Sequence, residues 1–213
     1  MEAAEAVVAA RDLGVRTRRG WIYSGVTLSA GRGAVVAVAG PGGSGRTSLL
    51  LTVAGRMKPS TGSLTVCGMA LPGAAAKVRA KAAVARATGA AELEPELRVR
   101  DHVRERRLIL GRTPRDAFGR ACEAIGAELP AKALVGDLRP SDATRLALAL
   151  ALMEEPDVLV LDDLDDGADG AEQHDLWDAV RRAAGTGVTV LAAVTEPSPA
   201  DGFADVLVPL GGK

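Results

Sequence analysis

Apolar positions fall along this 213-residue chain in short runs that alternate with helical spacing. "EAVVAARDL" and "GWIYSGVTLSA" read as two early strands before the turn "AGRGA". "AVVAVAG" at 34–40 is continuously apolar, the pattern of a strand covered on both faces. A helix is predicted from near Gly45 to about Gly55, with Pro59 beyond it. "TGSLTVCG" alternates like an edge strand, and the Ala-rich 74–90 reads as a short helix followed by a strand near 82–87. From about 97 to 153 the spacing is helical. "LRVRDHVRERRLILG" and "PRDAFGRACEAIGAEL" are amphipathic, and "SDATRLALALALMEE" follows with Ser141 as its expected N-cap. "DVLVLDD" reads as a buried strand ending in acid, "GAEQHDLWDAVRRAAG" as a helix, and "GVTVLAAVT" and "ADVLVPL" as the last strands. The alternation predicts one α/β domain over 1–213, with a mostly parallel sheet, antiparallel N-terminal strands and a helical insert at about 95–145.

The loop "GPGGSGRTS" between the buried strand and its helix carries the first candidate chemistry. Amides at a helix start have no partners within the helix and can wrap a phosphate. Gly40, Gly42, Gly43 and Gly45 permit close approach and positive φ; Ser44, Arg46, Thr47 and Ser48 complete the candidate binding loop. Thr47 offers a hydroxyl to Mg²⁺. The second element is "VLVLDDLDD", where Asp162 ends a buried strand as a candidate Mg²⁺ carboxylate and Asp163 is the candidate general base. Taken alone, each also reads as an ordinary glycine turn or a solvated acidic loop; strand, loop, helix and spacing together point to a phosphate loop.

Charge changes this picture little. Twenty-six basic and 27 acidic residues nearly cancel, so nothing suggests a nucleic-acid partner. Cys67 and Cys122 have no metal-ligand company and suit a reducing cytosol, and His102 and His174 read as surface histidines. "MEAAEAVVAARDLG" lacks the features of a signal peptide, and "LALALALM" is too short to cross a bilayer. Arg98, Arg100, Arg104, Arg106 and Arg107, interleaved with Asp101 and Glu105, read as a solvated helix face, with a partner or anionic lipid as the alternative.

The two motifs, with "MKPSTGSLTVCG", "LEPELRVRDHV", "LALALALMEEPDVLVLDD" and "DDGAD", resemble in order and spacing the nucleotide-binding subunit of ATP-binding cassette (ABC) transporters. The resemblance implies a P-loop NTPase-like fold, ATP and Mg²⁺ as cofactors, a transmembrane transporter subunit and a second cassette as partners, and a cytoplasmic place at the inner face of the membrane. It places Asp169 in the loop that reaches across the dimer. It also exposes departures: Thr17 where an adenine-stacking aromatic is expected, Arg46 for lysine, and Gly89 for the Mg²⁺-sensing glutamine. Leu138, Arg139, Pro140, Ser141 and Asp142 stand for Leu-Ser-Gly-Gly-Gln, Asp163 for the base glutamate and Glu196 for the switch histidine. Trp21 and Tyr23 are read as strand core rather than as replacements for the missing aromatic.

Guanidinium is a planar fork where ammonium is a compact charge, Asp163 is a methylene short, and Glu196 puts negative charge near a triphosphate. The expectation is therefore weak ATP binding and poor or no hydrolysis, with Arg46 paired to Glu196, Asp162 or Asp163. Two roles follow: a transporter's ATP-binding subunit with a degenerate site, or a pseudo-ATPase serving as a structural or regulatory module. A soluble cassette acting on ribosomes or DNA is a third, less supported by a chain with one cassette.

Overall fold

A computed structural model of the protein describes residues 6–211. In chain order the elements are β1 (Val8–Thr17), β2 (Gly20–Ala30), β3 (Val35–Ala39), α1 (Arg46–Val53), β4 (Thr61–Val66), β5 (Met69–Leu71), α2 (Ala75–Arg79) and β6 (Ala82–Arg86). They continue with α3 (Val99–Leu110), α4 (Ala117–Ile125), α5 (Pro140–Leu152), β7 (Val158–Leu161), α6 (Gly170–Gly185), β8 (Thr189–Val194) and β9 (Val206–Pro209). Glu5, at which the first predicted strand opens, lies outside the described residues.

Two sheets form. The parallel sheet runs β6-β7-β8-β3-β9, and the antiparallel one β2-β1-β4-β5. The parallel strands are the continuous apolar runs: every residue of β3, β7 and β8 is buried, because helices or the second sheet cover both faces. One core joins the antiparallel sheet to the parallel sheet and α1, through residues such as Val36, Leu49, Leu64 and Leu191. A second, on the opposite face, packs α5 and α6 through Leu148, Leu161 and the fully enclosed Trp177. A smaller cluster, Val99, Val135, Leu146 and Leu150, lies beneath α3.

The structure corrects several expectations. β4 is an inner strand, paired with β1 on one side and β5 on the other. Its alternation arises because Leu64 and Val66 face the core while their neighbours face outward. α5 begins at Pro140 with Arg139 as its N-cap, so Ser141 is not a cap; it is buried and its Oγ donates to Glu172 Oε1 at 2.9 Å. His102 is buried, not superficial, because α3 turns that face onto the preceding loop. Its Nε2 lies 3.0 Å from the Glu94 carbonyl oxygen, which can only accept, so that nitrogen carries the proton. His174 is exposed, as expected. Tyr23 is core and donates to Thr52 at 2.9 Å, whereas Trp21 stays 38% exposed beneath the Arg16 guanidinium.

β3 and β9 are tied at their start by Asp205, whose Oδ2 accepts from the Val35 amide at 2.8 Å and from Arg181 at 2.6 Å. Burial would raise this carboxyl, but the Val35 amide and Arg181 outweigh it and hold it below the usual carboxylate range. Stabilisation of this sign is present above the unfolded pKa, about 3.9, and is lost as pH falls through the lowered folded value. Asp205→Ala, which strands the buried Val35 amide, is expected to cost about 1–3 kcal/mol near neutral pH. The gap in melting temperature between wild type and variant should shrink below about pH 4.

Candidate functional site

The glycine loop is positioned by β3. Its strand pairing with β8 continues into the Gly40 amide, which donates to the Val194 carbonyl at 3.2 Å. A side chain at Gly40 would place its Cβ 2.4 Å from the Leu210 carbonyl oxygen and 2.8 Å from Ser44 Oγ, so nothing larger fits. At Gly45, φ is 97° and a Cβ would stand 2.9 Å from the Ile22 carbonyl oxygen. Above Gly42 and Gly43, by contrast, there is open space. α1 starts immediately after Gly45 with no side-chain cap and no acidic residue in its first turn. Its first amides are thus free for an anion.

Arg46, the first residue of α1, turns inward and is only 11% exposed. Its Nη2 donates to Asp163 Oδ1 at 2.9 Å and its Nη1 to Thr195 Oγ1 at 3.0 Å. Thr88 donates to the other carboxylate oxygen, Asp163 Oδ2, at 2.7 Å. Of the three carboxylates expected to compete for Arg46, Asp163 holds it. Glu196 is exposed and makes no ion pair among the described residues, because the loop after β8 carries it outward; Asp162 is engaged elsewhere. The neighbouring Thr195 amide donates to Asp165 Oδ2 at 2.9 Å.

Asp162 is fully buried at the end of β7, and its Oδ2 accepts from Thr47 Oγ1 at 2.5 Å. Its other oxygen, Oδ1, is buried without a partner, as is Ser44 Oγ. Burial pushes the Asp162 carboxyl above its usual range; the Thr47 hydrogen bond opposes this, the Asp163 charge adds to it, and Arg46 again opposes it. A buried orphan acceptor is costly unless something donates or coordinates there. A raised carboxyl means that ionised Asp162 costs stability, increasingly as pH rises through its folded value. Asp162→Asn is therefore expected to raise the melting temperature at neutral pH while abolishing any Mg²⁺-dependent stabilisation. Calorimetry with and without MgCl₂ checks both; a lower melting temperature in the variant would contradict the reading.

The remaining candidate positions have other work. Gly89 has φ 71° and its amide donates to Glu92 at 2.8 Å; it brings no side chain to the site. Arg139 bonds Asp142 at 2.9 Å on the surface, and Leu138 is half-buried before α5. Asp169 caps α6 in a reciprocal box with Glu172, accepting from the Ala171 and Glu172 amides at 2.9 Å each. Thr17 sits in the exposed β1–β2 hairpin. Thr88 and Thr195, which complete the Arg46–Asp163 cluster, escaped the sequence reading. Their signal was adjacency alone, each standing one residue before a flagged position, Gly89 and Glu196.

Residues 23–165 match the family model described as ABC transporter. The chain belongs to the ABC transporter family. Among relatives in this family, the Nod factor export ATP-binding protein I of Burkholderia lata is 30% identical over 181 residues, covering 80% of this chain and 56% of that protein. The protein of the same name from Ralstonia nicotianae is 29% identical over 211 residues, covering 91% and 61%. The chain thus spans somewhat more than half the length of these curated ABC relatives. In fold it is similar to the ADP conformation of MJ1267, an ATP-binding cassette of an ABC transporter (TM-score 0.78, 16% identity, 97% of this chain and 88% of that one). It is also similar to cbiO1 of Clostridium perfringens, part of the ABC transporter complex cbiONQ (TM-score 0.76, 19% identity, 95% and 84%).

As an ABC-family site, the cluster divides in two. The parts that would hold nucleotide and metal fit: an open glycine loop, uncapped amides, and two buried polar atoms, Ser44 Oγ and Asp162 Oδ1, that lack partners. At the positions expected to act on a water, both oxygens of Asp163 accept hydrogen bonds, from Arg46 and Thr88, and Glu196 is exposed.

Proposed function

We propose that this chain is the ATP-binding cassette of a transporter complex in which the nucleotide cradle persists and hydrolysis is suppressed by an internal ion pair. Arg46–Asp163 is the observation that carries this reading. Arg46, Thr47, Ser48, Ser44 and the glycines Gly40, Gly42, Gly43 and Gly45 would hold the phosphates; Thr47 and Asp162 would hold Mg²⁺. When bound, Mg·ATP supplies divalent charge and a cleavable terminal phosphate.

Before a phosphate can meet the Arg46 guanidinium, that group must leave Asp163 and Thr195. The open form is a minor fraction of the free protein, and apparent affinity falls by that fraction. Asp163, tethered to Thr88 as well, is poorly placed to take a proton from water. The partners that the family resemblance implies, a membrane-spanning transporter subunit and a second cassette, belong to this reading, as does a place at the inner membrane face through them. Among the described residues no helix is long and apolar enough to cross a membrane.

The latch gives an unusual sign. Asp163→Ala, which removes a negative charge and frees Arg46, is expected to bind Mg·ATP about tenfold more tightly than wild type. Isothermal calorimetry measures it. Equal or weaker binding by the variant would count against the latch. Absence of binding by both would favour the second reading, a cassette fold kept as an interaction module.

A further inference from the structure

The arginine-rich stretch of α3 is solvated at Arg98, Arg100 and Arg104 and half-buried at Arg106 and Arg107. Residues 98–115 contain seven arginines and two carboxylates, a net charge of +5 within a chain of net charge −1. At the end of α3, Leu108 and Ile109 are 76% and 70% exposed, the most exposed large apolar side chains described. Arg104, Arg112 and Arg115 are exposed around them and enter no ion pair among the described residues. Beside this tip lies a groove of about 230 Å³ lined by Val103 and Phe118 and by Arg100, Arg104 and Arg107. Within it Arg107 Nε is buried without a partner.

We propose that this tip docks directly on an anionic lipid bilayer. Leu108 and Ile109 enter the headgroup boundary, and Arg104, Arg112 and Arg115 pair with lipid phosphates. Several features select a bilayer over a protein partner. Two adjacent apolar side chains are too little for a stable protein interface, which buries about 800 Å² on each side. They suit shallow insertion, in which exposed apolar residues sink among acyl chains while cations stay at the phosphates. The charge is all arginine, whose planar fork matches phosphate oxygens and sheds water more readily than an ammonium does. The adjacent acids Glu105 and Asp116 lie against His102 and Arg120 instead of these arginines. The contact needs neither nucleotide nor a latch at Arg46, so it stands independently of the reading above.

Flotation of the full chain with protein-free vesicles tests it, using phosphatidylcholine alone against phosphatidylcholine with about one-third phosphatidylglycerol. Binding is expected only to the anionic vesicles and should fall as ionic strength rises. Each arginine near an anionic surface contributes about fivefold, so Arg104→Ala/Arg112→Ala/Arg115→Ala should weaken partitioning on the order of 10²-fold. Leu108→Ser/Ile109→Ser should weaken it at least about tenfold. Arg18→Ala/Arg19→Ala, exposed on the distant β1–β2 hairpin, should change it by less than about twofold. Equal binding to neutral vesicles, or an equal loss in the hairpin variant, would overturn the assignment. So would inert lipid vesicles that retain the chain only when a membrane protein is present.

Discussion

Restoring three side chains together, as Arg46→Lys/Asp163→Glu/Glu196→His, is expected to raise ATP turnover at least about 10²-fold above the wild-type chain. The argument is geometric. Asp163 lies two residues beyond β7, between Asp162, whose amide donates to the Arg86 carbonyl at 3.0 Å, and Leu164, whose amide donates to the Ala193 carbonyl at 2.9 Å, so it cannot readily advance towards a water by moving the chain. Its carboxylate is held from two sides, by Arg46 at 2.9 Å and Thr88 at 2.7 Å. Glutamate adds the missing reach, lysine removes the second arm of the fork that also grips Thr195, and histidine replaces an anion with a group able to donate. General-base catalysis contributes about 10²–10⁴-fold, and displacement by about 1 Å costs on the order of 10²-fold, so the restored base dominates the gain. Arg139 and Pro140 bound what a homodimer can recover, since they replace small residues in the segment expected to face a partner's nucleotide. Adding Arg139→Ser/Pro140→Gly should raise the rate further. A steady-state phosphate-release assay in which wild type already matches the triple variant would show that Asp163 lets go of Arg46 on its own.

The fold was largely legible because its three central parallel strands are buried on both faces and so announce themselves as unbroken apolar runs: 35–39, 158–161 and 189–194. Burial on one face is a weaker signal. β4 alternates in the way an edge strand would, and only its pairing with β5, a three-residue strand, makes it internal. Helix ends were legible where glycine marks them, as in α6, which runs from Gly170 to Gly185 as predicted, and not where a turn residue competes. Ser141 looked like a cap, but Pro140 fits the first turn without an amide, so the helix starts two residues earlier. In the site, sequence order brought together Arg46, Thr47, Asp162 and Asp163. It did not choose among three carboxylates for one guanidinium, because that choice depends on the direction in which the loop after β8 departs. Glu196 follows that loop into solvent, whereas Thr195, one residue earlier, meets Arg46. His102 escaped for a related reason: nothing local says that the segment around Glu94 folds back over α3.

These particulars give the site an internal economy. Asp162 is buried with an oxygen that has no partner among the described residues, which is costly for a protein that never meets a cation. The Arg46 guanidinium next to it reduces that cost, while its partner Asp163 adds to it. A cation arriving at Asp162 would take over part of this role, so metal binding and latch opening should favour one another through shared electrostatics. The guanidinium that latches Asp163 in the proposed reading therefore also keeps an acidic strand end tolerable in the free protein.

Removing the cation should consequently be harder on the fold than removing the anion. Arg46→Ala leaves Asp162 and Asp163 adjacent, with no counter-charge in the cluster, whereas Asp163→Ala leaves a guanidinium that can turn towards the orphaned Oδ1 of Asp162. Breaking a buried pair by deleting one partner costs about 3–5 kcal/mol, and the partial exposure of Asp163 places Arg46→Ala near the lower end. For a chain of this length, about 3 kcal/mol corresponds to a fall in melting temperature of roughly 6–12 °C. Asp163→Ala should lose less than half of that, and the double variant should lie above the sum of the singles, with a coupling of about 1–3 kcal/mol. The pH dependence has a definite sign. Arg46 opposes the upward shift of the Asp162 carboxyl, so without it that group takes up a proton more readily and the deficit of Arg46→Ala narrows in acid. Thermal melts of the two single variants, the double variant and wild type across about pH 5–8 decide the matter. If Asp163→Ala proves the more damaging single change, or the Arg46→Ala deficit widens in acid, the guanidinium does not hold the two carboxylates together in the way its contacts indicate.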